Sequence, residues 1–469
     1  MKKLSELYPG YSDILIKDIK INSKDVEHND IFVCTRGVTA DRHDYVQDAV
    51  KNGAVAIVAS HKIDVPVPVI YVKDTNKELP LLAKRFYDNP DDKLDIIGIT
   101  GTNGKTTTAQ LIQDLMGNDI CGYIGTNGII CSSFNETIRN TTPDSDRLYK
   151  YFDKFVKAGC RYLSMETSSE AFYRERLNNL KFKIGIMTNV TEDHLNIHKT
   201  IENYVECKMQ LFKQIEDDGF SILNIDDKYY QDFKNISKGT ILTYGKKEST
   251  LQIIKIEQFI NKTNITLKYK DNLYDIESPL LGEFNVYNLC AGILALLALG
   301  YEMDSIIKNI KNIKVPHGRV EFLDFGQDYS IVLDYAHTTD AFSKIYDLLE
   351  KVKKNRIITI TGSAGGREKE KRKDMGKLVL DKSDYVIFTM DDPRSEDVNS
   401  IIDDLVSISD KTNYERVIDR HDAIFKAFDM AEKDDIVLVA GKGIDNYMAL
   451  GEEYLPYCDL DVIKEYFKK

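Results

Sequence analysis

The sequence predicts an α/β protein of three domains: a small N-terminal α/β domain, a central domain built on a parallel sheet, and a C-terminal Rossmann-like domain. Three observations support this fold class. The chain has 469 residues, whereas a single hydrophobic core stops growing at roughly 250–300 residues. Short β-branched runs alternate with segments of helical period, which is typical of parallel sheets covered by helices. One such run leads directly into a glycine-rich turn and a helix.

Composition narrows the class of protein. Hydrophobic residues make up 42% of the chain and charged residues 29%, as in ordinary globular proteins. The net charge of −12, without a long Lys/Arg block, argues against a nucleic-acid partner. No apolar run approaches the ~18 residues of a membrane span, and the first residues lack the apolar stretch of a signal peptide. Seven scattered cysteines without a CxxC pair indicate reduced thiols, so we expect a cytoplasmic protein without a membrane partner.

The domain boundaries follow from the order of strand candidates. Residues 1–90 contain the apolar runs DIFVCT, AVAIVAS and PVIYVKD and end in the polar stretch YDNPDDKLD. Residues 91–315 contain the strand candidates LDIIGIT, RYLSMET and FKIGIMTNV, with segments of helical period between them. Residues 316–469 contain YSIVLDYA, RIITIT, DYVIFTM and DIVLVAG. Both later domains are therefore expected to hold a parallel sheet with helices on its two faces.

A phosphate-binding loop is the most informative local motif. Residues 98–107 read GITGTNGKTT, in which a strand enters a glycine-rich turn followed by Lys105, Thr106 and Thr107. Glycines let backbone N–H groups approach phosphates, and the helix N-terminus that follows favours negative charge. Ile99 stands where the general pattern G-x-x-x-x-G-K-[ST] has its first glycine, so the match is to a variant, TGTNGKTT.

Two neighbouring strands should also carry chemistry just past their ends, because ligands of open α/β sheets bind beyond the carboxyl ends of the strands. RYLSMET delivers Glu166, whose carboxylate suits Mg²⁺ beside a phosphate loop. FKIGIMTNV leads into TNVTEDHLNIH, which carries Asp193, His194 and His198. Histidine is an unusual ligand for a hard cation such as Mg²⁺, so a His on this metal would be particular to one family.

The chain resembles the Mur ligases of peptidoglycan synthesis, and among them the branch that adds the third residue of the stem peptide. The resemblance spans all three domains. Its motifs occur in the family's order: NSKDVEHNDIFVC, TGTNGKTT, NTTPDS, METSSEA, TNVTEDHLNIH, GEFNVYN, VPHGRVE, LDYAHTTDA, GSAGGREKEKR, DDPRSED and GKG. Each motif alone would be weak, whereas the ordered set is highly specific.

The resemblance implies that ATP and Mg²⁺ are the cofactors. The residues implied at ATP are Thr102, Asn103, Gly104, Lys105, Thr106, Thr107, Asn285, Asn288, Arg319, Asp334, Tyr335 and His337. Those implied at Mg²⁺ are Thr106, Glu166, His194 and Lys208. Lys208, in VECKMQLF, matches a lysine that the family carbamylates, and Lys105, His194 and Lys208 are the implied catalytic residues. Taken without the resemblance, Lys208 would be a solvated helix lysine.

The resemblance also implies two further substrates, a UDP-muramoyl dipeptide and a free amino acid, acted on by a monomer. The N-terminal domain would then be a UDP-binding domain. The residues implied at the nucleotide sugar are Ser23, Thr141, Thr142, Ser169 and Arg176. Those implied at the amino acid are Arg367, Asp391, Asp392, Pro393, Arg394, Gly441 and Asp445. Bidentate pairing of arginine with a carboxylate makes Arg367 and Arg394 chemically sensible there.

The chain departs from the family at four motifs. SSHAL of the family reads SSEAF here, with Glu170, and DSR reads NSK, with Lys24. GKGHE reads GKGID, and DNPR reads DDPR, with Asp392. The last two departures lie in the implied acceptor pocket, so they leave meso-diaminopimelate and L-lysine both open as the added amino acid.

The implied reaction joins the terminal carboxylate of UDP-MurNAc-L-Ala-D-Glu to an amine through an acyl phosphate, with release of ADP and phosphate. Two alternatives stay open. The chain could be a Mur-ligase paralogue with another acceptor or donor, although NSKDV and DRHDY argue against a folate-type enzyme that lacks a UDP-sugar domain. It could also be a P-loop ATPase without ligase activity, which would not need Glu166, His194 and Lys208 together.

Overall fold

The structure is a computed structural model that describes residues 1–37, 40–138, 140–193, 195–259, 262–311, 313, 318–366, 369–443 and 445–468. It divides into two compact units. The first comprises Met1–Thr250 with Ala291–Met303, and the second comprises Leu251–Cys290 with Asp304–Lys469. None of the helices in the described ranges is long and apolar enough to cross a membrane. The predicted domain boundaries at residues 90 and 315 stay predictions, and residue 315 lies outside the described residues.

The first unit opens with a small four-stranded parallel sheet in the order β3-β4-β5-β6. The predicted strands DIFVCT, AVAIVAS and PVIYVKD are confirmed as its last three strands. The elements are β1 (Lys2–Lys3), α1 (Leu4–Leu7), β2 (Leu15–Ile16), β3 (Ile19–Lys20), β4 (Asp30–Val33), α2 (Val46–Lys51), β5 (Ala54–Ala59), β6 (Val69–Tyr71) and α3 (Thr75–Phe86).

A larger sheet follows, in which β8-β11-β7-β12-β13-β14 run parallel and β9 and β10 extend it antiparallel beside β8. The three strands predicted here are confirmed as β7, β11 and β12. The elements are β7 (Asp95–Thr100), α4 (Lys105–Met116), β8 (Cys121–Gly125), β9 (Gly128–Cys131), β10 (Phe134–Glu136), α5 (Ser145–Lys157), β11 (Tyr162–Glu166), α6 (Ser169–Tyr173), β12 (Phe182–Met187), α7 (Leu195–His198), α8 (Ile201–Lys213), β13 (Ile215–Asn224), α9 (Tyr230–Ile236) and β14 (Thr240–Gly245).

The second unit holds an antiparallel meander, β15 to β17, and a six-stranded sheet in the order β18-β19-β23-β20-β21-β22. All neighbours in the six-stranded sheet are parallel except β18 and β19. The elements are β15 (Leu251–Gln258), β16 (Thr263–Tyr269), β17 (Asn272–Ser278), α10 (Glu283–Ala298), α11 (Met303–Ile310), β18 (Glu321–Leu323), β19 (Ser330–Asp334), α12 (Thr339–Val352), β20 (Ile357–Thr361), α13 (Glu370–Lys382), β21 (Tyr385–Phe388), α14 (Val398–Val406), β22 (Tyr414–Arg416), α15 (Arg420–Met430), β23 (Ile436–Ala440), β24 (Tyr447–Leu450), β25 (Glu453–Pro456) and α16 (Asp459–Phe467).

Burial on both faces of the six-stranded sheet explains why its four central strands, β19, β23, β20 and β21, are mostly apolar. Two separate hydrophobic clusters cover its faces, one including Val332 and Leu438 and the other Ile331 and Val439. Because successive strand residues point to opposite faces, both faces are buried only if the whole strand is apolar. The four strands predicted in this region are confirmed as β19, β20, β21 and β23.

Candidate functional site

The phosphate loop connects β7 to α4. Gly101 and Gly104 adopt φ angles of +150° and +86°, which residues with a Cβ rarely adopt. A Cβ on Gly101 would lie 1.9 Å from the Oγ1 of Thr188. The loop therefore requires glycine at residue 101 both for its backbone angle and for space.

The loop is fixed by the segment that follows β12. The N–H of Thr102 donates to the carbonyl of Asn189 at 2.8 Å, and the N–H of Asn103 donates to the Asn189 side chain at 3.1 Å. Thr188 Oγ1 donates to the carbonyl of Asn103 at 2.7 Å. These bonds preorganise the loop, so that little reordering is needed when phosphates bind.

Lys105 opens α4 and folds back over the loop, where its Nζ donates to the carbonyls of Gly101 at 2.9 Å and Thr102 at 2.8 Å. Thr106 and Thr107 follow in the first turn and are buried. The N-terminal N–H groups of this helix and the Lys105 ammonium provide positive potential at one place, which suits a polyphosphate.

Lys208 comes from the middle of α8 and is only 1% exposed. Its Nζ donates to the carbonyl of Gly101 at 2.7 Å and lies 4.2 Å from the ring centroid of Tyr204. Burial, with a smaller contribution from Lys105, holds the Lys208 pKa well below its usual range. The sequence on its own suggested a solvated lysine at this position, and that interpretation is wrong because α8 packs this face against the phosphate loop.

Glu166 ends β11 beside the phosphate-loop strand, in register with Ile99. Its buried carboxylate accepts hydrogen bonds from the Tyr123 hydroxyl and the Thr126 N–H, both at 2.8 Å. Glu166 lies at the sheet edge where β7 enters the phosphate loop. Its carboxylate and the Thr106 hydroxyl are hard oxygen ligands of the kind that Mg²⁺ prefers. An ammonium is no metal ligand, so Lys208 would fit this set only as a carbamate. His194, the remaining predicted ligand, lies outside the described residues.

Two of the residues predicted at the nucleotide sugar, Thr142 and Arg176, are joined by a hydrogen bond beside Glu166, and a third, Thr141, contacts Thr126, which also binds Glu166. The Thr142 hydroxyl donates to the Glu166 carbonyl at 2.9 Å, Arg176 donates to the Thr142 carbonyl at 3.1 Å, and Thr141 Oγ1 lies 3.2 Å from Thr126 Oγ1. Ser169 Oγ lies 3.0 Å from the Nε2 of His198. Ser23 is buried at the start of a short 3₁₀ helix in the first sheet's layer, where Asn52 donates to its carbonyl.

A cavity of about 700 Å³ opens within the first unit, between the N-terminal sheet and the segment that leads into α5. Its walls include Asn22, next to Ser23, and Asn140 and Pro143, which flank Thr141 and Thr142. The space is large enough for a nucleotide-sized ligand. Direct chain neighbours of Ser23, Thr141 and Thr142 line it, whereas these three residues, Ser169 and Arg176 are not among its lining residues.

In the second unit, Asn285 and Asn288 lie one turn apart on α10 and are both buried. Asn288 Nδ2 donates to Asn285 Oδ1 at 3.0 Å, and Asn285 Nδ2 donates to the Leu281 carbonyl at 2.7 Å. The pair is therefore a fixed polar group on an otherwise apolar helix.

The structure brings Arg319, Asp334, Tyr335 and His337 together at the end of β19. The Arg319 guanidinium lies 4.9 Å from the Tyr335 ring centroid, and His337 Nδ1 lies 2.8 Å from the Tyr335 carbonyl oxygen. Burial raises the pKa of Asp334, which accepts from the N–H groups of Val320 and Ala336.

The loops that carry the residues predicted at the amino acid follow β20, β21 and β23 and meet at one edge of the sheet, as expected for ligands that bind past the carboxyl ends of parallel strands. Arg394 donates to the Gly365 carbonyl at 2.7 Å, joining the GSAGG and DDPR loops. A Cβ on Gly441 would lie 2.3 Å from an oxygen of Asp391, so the GKG loop packs directly on DDPR, which also contains Pro393. Arg367 lies outside the described residues.

A lysine that was not predicted as a site residue organises these loops. Lys442 has a fully buried side chain, and its Nζ lies 2.8 Å from Asp392 Oδ1 and 3.3 Å from Asp445 Oδ2. Tyr335 donates to Asp445 at 3.3 Å, which links the acceptor loops to the cluster after β19. Burial raises the pKa of Asp445 and of Asp391. The two departures from the family, Asp392 and Asp445, thus share one buried cation.

Some of the residues that support the site lie inside recognisable sequence motifs, and others do not. Asn189 and Lys442 lie inside the family motifs TNVTEDHLNIH and GKG, so the sequence offered a signal for both as site residues. Tyr123 and Thr126 hold Glu166. Tyr123 lies within β8 and Thr126 directly follows that strand, with no chemical pattern around either residue. Only the folded structure reveals their role.

A glycine-rich strand–loop–helix, a lysine over the loop and a carboxylate at the neighbouring strand end define an α/β enzyme of the P-loop kind that uses a nucleoside triphosphate. Three family models match the chain: Mur ligase family, catalytic domain, over residues 15–87; Mur ligase middle domain, over residues 99–296; and Mur ligase, glutamate ligase domain, over residues 318–443.

Relatives of known name are similar over nearly the whole chain. A Bacillus cereus protein named UDP-N-acetylmuramoyl-L-alanyl-D-glutamate--2,6-diaminopimelate ligase is 37% identical over 459 residues, covering 96% of this chain and 94% of the relative. A Fusobacterium nucleatum protein of the same name is 38% identical, with coverage of 95% and 93%. A solved structure with that enzyme name superposes with a TM-score of 0.70 at 26% identity, covering 100% of this chain and 99% of the other.

The chain belongs to the Mur ligase family. It is an ATP-dependent ligase that joins an acid to an amino acid, and the predicted three-domain α/β fold class and the family resemblance are confirmed.

Proposed function

We propose that the chain adds meso-diaminopimelate, as the third residue of the stem peptide, to UDP-MurNAc-L-Ala-D-Glu in peptidoglycan synthesis. One observation carries this proposal: a relative named for that reaction is 37% identical across 96% of the chain. The enzyme would act as a monomer in the cytoplasm, where the soluble precursors are made.

ATP binds at the phosphate loop in this proposal. The loop N–H groups and Lys105 hold the β- and γ-phosphates, and the Thr107 and Thr106 hydroxyls lie in the first helical turn beneath them. Asn285, Asn288, Arg319, Asp334, Tyr335 and His337 form the remaining contacts to the nucleotide. Thr106, Glu166, His194 and carbamylated Lys208 would hold Mg²⁺, which supplies positive charge to the transferring phosphoryl group when bound.

Chemistry proceeds by two displacements. The D-Glu carboxylate oxygen of the donor attacks the γ-phosphorus, the bond to the β-phosphate oxygen breaks, and ADP leaves. The acyl phosphate is then attacked by the acceptor nitrogen, the carbon–oxygen bond breaks, and inorganic phosphate leaves. The nitrogen loses two protons in passing from ammonium to amide. Lys105 neutralises charge that develops on the phosphoryl oxygens, which is where electrostatic stabilisation contributes most.

In this proposal the donor is held by Ser23, Thr141, Thr142, Ser169 and Arg176 in the first unit, together with the cavity that neighbours of Ser23, Thr141 and Thr142 line. The acceptor is held by the loops of the second unit. There Arg394, with Arg367, pairs with a carboxylate, while Asp391, Asp392 and Asp445 face its ammonium groups. Pro393 and Gly441 shape the loops.

L-Lysine is the second candidate acceptor. Asp392 is an acid where the family commonly has an amide, and it pairs with Lys442 at 2.8 Å. Both acceptors carry a distal ammonium, so their difference lies in the second carboxylate. Lysine has that ammonium but lacks the second carboxylate that Arg394 would pair with.

Phosphate release tests the ligase mechanism. ATP and Mg²⁺ are offered with donor alone, with acceptor alone, and with both. We expect steady phosphate release only when donor and acceptor are both present, because one ATP is converted to ADP and phosphate for each amide bond formed. Steady release without acceptor would contradict the proposal and favour a P-loop ATPase.

A further inference from the structure

Of the described basic side chains that line the cavity of the first unit, one has no carboxylate partner. Five basic side chains line it, and four have carboxylate partners: Lys20 and Lys150 with Asp18 at 2.9 and 2.8 Å, Arg147 with Asp25 at 3.6 Å, and Lys154 with Glu136. The fifth is Arg42. Among the residues that the structure describes, no carboxylate lies within ion-pair distance of its guanidinium.

Arg42 is held in place by neutral groups. Its NH1 donates to Thr35 Oγ1 at 2.9 Å, and its backbone N–H donates to the Thr35 carbonyl at 3.1 Å. One contact to a hydroxyl leaves most of the five guanidinium N–H donors for a ligand. A part-buried guanidinium that already has a fixed position loses little entropy when it binds an anion.

The backbone on both sides of Arg42 is also fixed. The Asp41 carboxylate accepts from the His43 N–H at 3.0 Å and contacts His43 Nδ1. His43 Nε2 in turn accepts from the N–H of Ser60, at the end of β5, at 3.1 Å. These bonds tie the loop that carries Arg42 to the parallel sheet.

We infer that Arg42 binds the diphosphate of the nucleotide-linked donor in this cavity. A diphosphate matches the fork of a guanidinium, which forms two parallel charge-assisted hydrogen bonds with phosphate oxygens. Arg42 is not among the residues that the family resemblance assigns to the donor. The inference rests on the proposed function, because it takes its ligand to be a UDP-linked substrate.

Direct binding measurements on the full chain test the inference. UDP, uridine and ADP are titrated separately into the wild type, Arg42→Gln and Lys154→Gln. Lys154 is the matched control, since it lines the same cavity but is already paired with Glu136. For Arg42→Gln we expect the Kd of UDP to rise about 10- to 100-fold, as for the loss of a charge-assisted pair. The Kd of uridine should stay within about twofold, because uridine has no phosphate.

Titration with ADP shows whether Arg42→Gln is folded. ADP is expected at the phosphate loop, away from Arg42, so a folded variant should bind it like the wild type. In turnover, KM for the nucleotide-sugar donor should rise by the same factor as the Kd of UDP, and kcat should fall far less. Equal UDP affinity of Arg42→Gln and the wild type would overturn the inference, as would equal losses in Arg42→Gln and Lys154→Gln.

The outcomes separate the inference from the proposed function. Ligation by the wild type with unchanged UDP binding in Arg42→Gln would refute the role of Arg42 alone. Weakened UDP binding in Arg42→Gln without ligation by the wild type would support Arg42 and refute the proposed reaction. A wild type that binds no UDP would refute both.

Discussion

The ammonium of Lys208 donates a 2.7 Å hydrogen bond to the carbonyl of Gly101, the first residue of the phosphate loop. A lysine this deeply buried is unusual, and its lowered pKa increases the fraction of neutral amine at physiological pH. Neutral amines react with carbon dioxide, whereas ammonium groups do not.

We expect Lys208 to carry a carbamate. With ¹³C-bicarbonate, the wild type should show a carbamate carbon signal that Lys208→Arg lacks, and ligase activity should rise on adding bicarbonate to degassed buffer. The signal should weaken as the pH falls, because protonation of the amine opposes carbamate formation. A bicarbonate-independent enzyme without the signal would show that Lys208 acts as a plain amine.

Gly101→Ala should weaken nucleotide binding. The new Cβ would lie 1.9 Å from Thr188 Oγ1, and the φ of +150° is strained for alanine. We expect the Kd of ADP to rise at least about tenfold, as when roughly 1.4 kcal/mol of binding free energy is lost.

Gly159→Ala is the matched control for Gly101→Ala. Gly159 has a φ of +87° but nothing within 4 Å of an added Cβ, so it carries the backbone strain without the clash. Calorimetric titration of both variants shows whether the loss of ADP affinity is specific to the phosphate loop or follows from a strained alanine anywhere in the fold. Equal ADP affinities of the two variants would mean that the conformation and close packing of Gly101 are unimportant for nucleotide binding.

Arg394→Ala should change acceptor preference. If Arg394 pairs with the second carboxylate of meso-diaminopimelate, its loss removes about 1.5–3 kcal/mol, or roughly 10- to 100-fold in kcat/KM. L-Lysine, which has no such carboxylate, should be affected much less. Arg394→Lys retains the charge and serves as the control. A uniform loss with both acceptors would assign Arg394 a structural role in the DDPR loop.

Asp146→Asn should stabilise the protein in a pH-dependent way. Burial and the nearby Asp144 carboxylate raise the Asp146 pKa to about 6, against about 3.9 when unfolded. The folded state thus binds a proton more tightly than the unfolded state, and the wild type loses stability relative to Asn as the pH rises from about 4 to about 6. At pH 8 the full difference is on the order of 3 kcal/mol.

Urea unfolding of Asp146→Asn, followed by circular dichroism between about pH 4 and about pH 8, measures this difference across the whole predicted window. The chain has no tryptophan, so fluorescence would report tyrosine alone. Asp25→Asn is the control. Asp25 and Asp146 both line the cavity of the first unit, but the Asp25 side chain is 50% exposed. A stability gap that stays constant with pH would show that Asp146 ionises as an ordinary surface carboxylate.

The sequence predicted those features that are encoded locally. Strand β7 and the phosphate loop follow from a β-branched run and from glycines beside Lys105, and the strand-end rule placed Glu166 at the correct edge. In the second unit, Gly365, Arg394 and Gly441 lie at one edge of the sheet, as expected for loops that follow the carboxyl ends of parallel strands.

Features that depend on packing between distant segments were not predictable. The burial of Lys208 follows from how α8 lies against the phosphate loop, 107 residues earlier in the chain. The antiparallel strands β15 to β17 were not singled out, since their polar alternation lacks a chemical motif. Arg42 was missed because its importance depends on comparison with its neighbours. In the part of the chain that the structure describes, the other basic side chains that line the cavity have carboxylate partners, and Arg42 has none.

The most direct test of third-residue ligation is product formation from ATP, Mg²⁺ and UDP-MurNAc-L-Ala-D-Glu, with meso-diaminopimelate, L-lysine and L-ornithine offered in separate reactions. Mass spectrometry should detect a UDP-muramoyl tripeptide that contains meso-diaminopimelate, formed in equal amount to ADP. No tripeptide with any of the three amino acids, from a chain that still binds ATP, would contradict the account and indicate a ligase with another donor or acceptor.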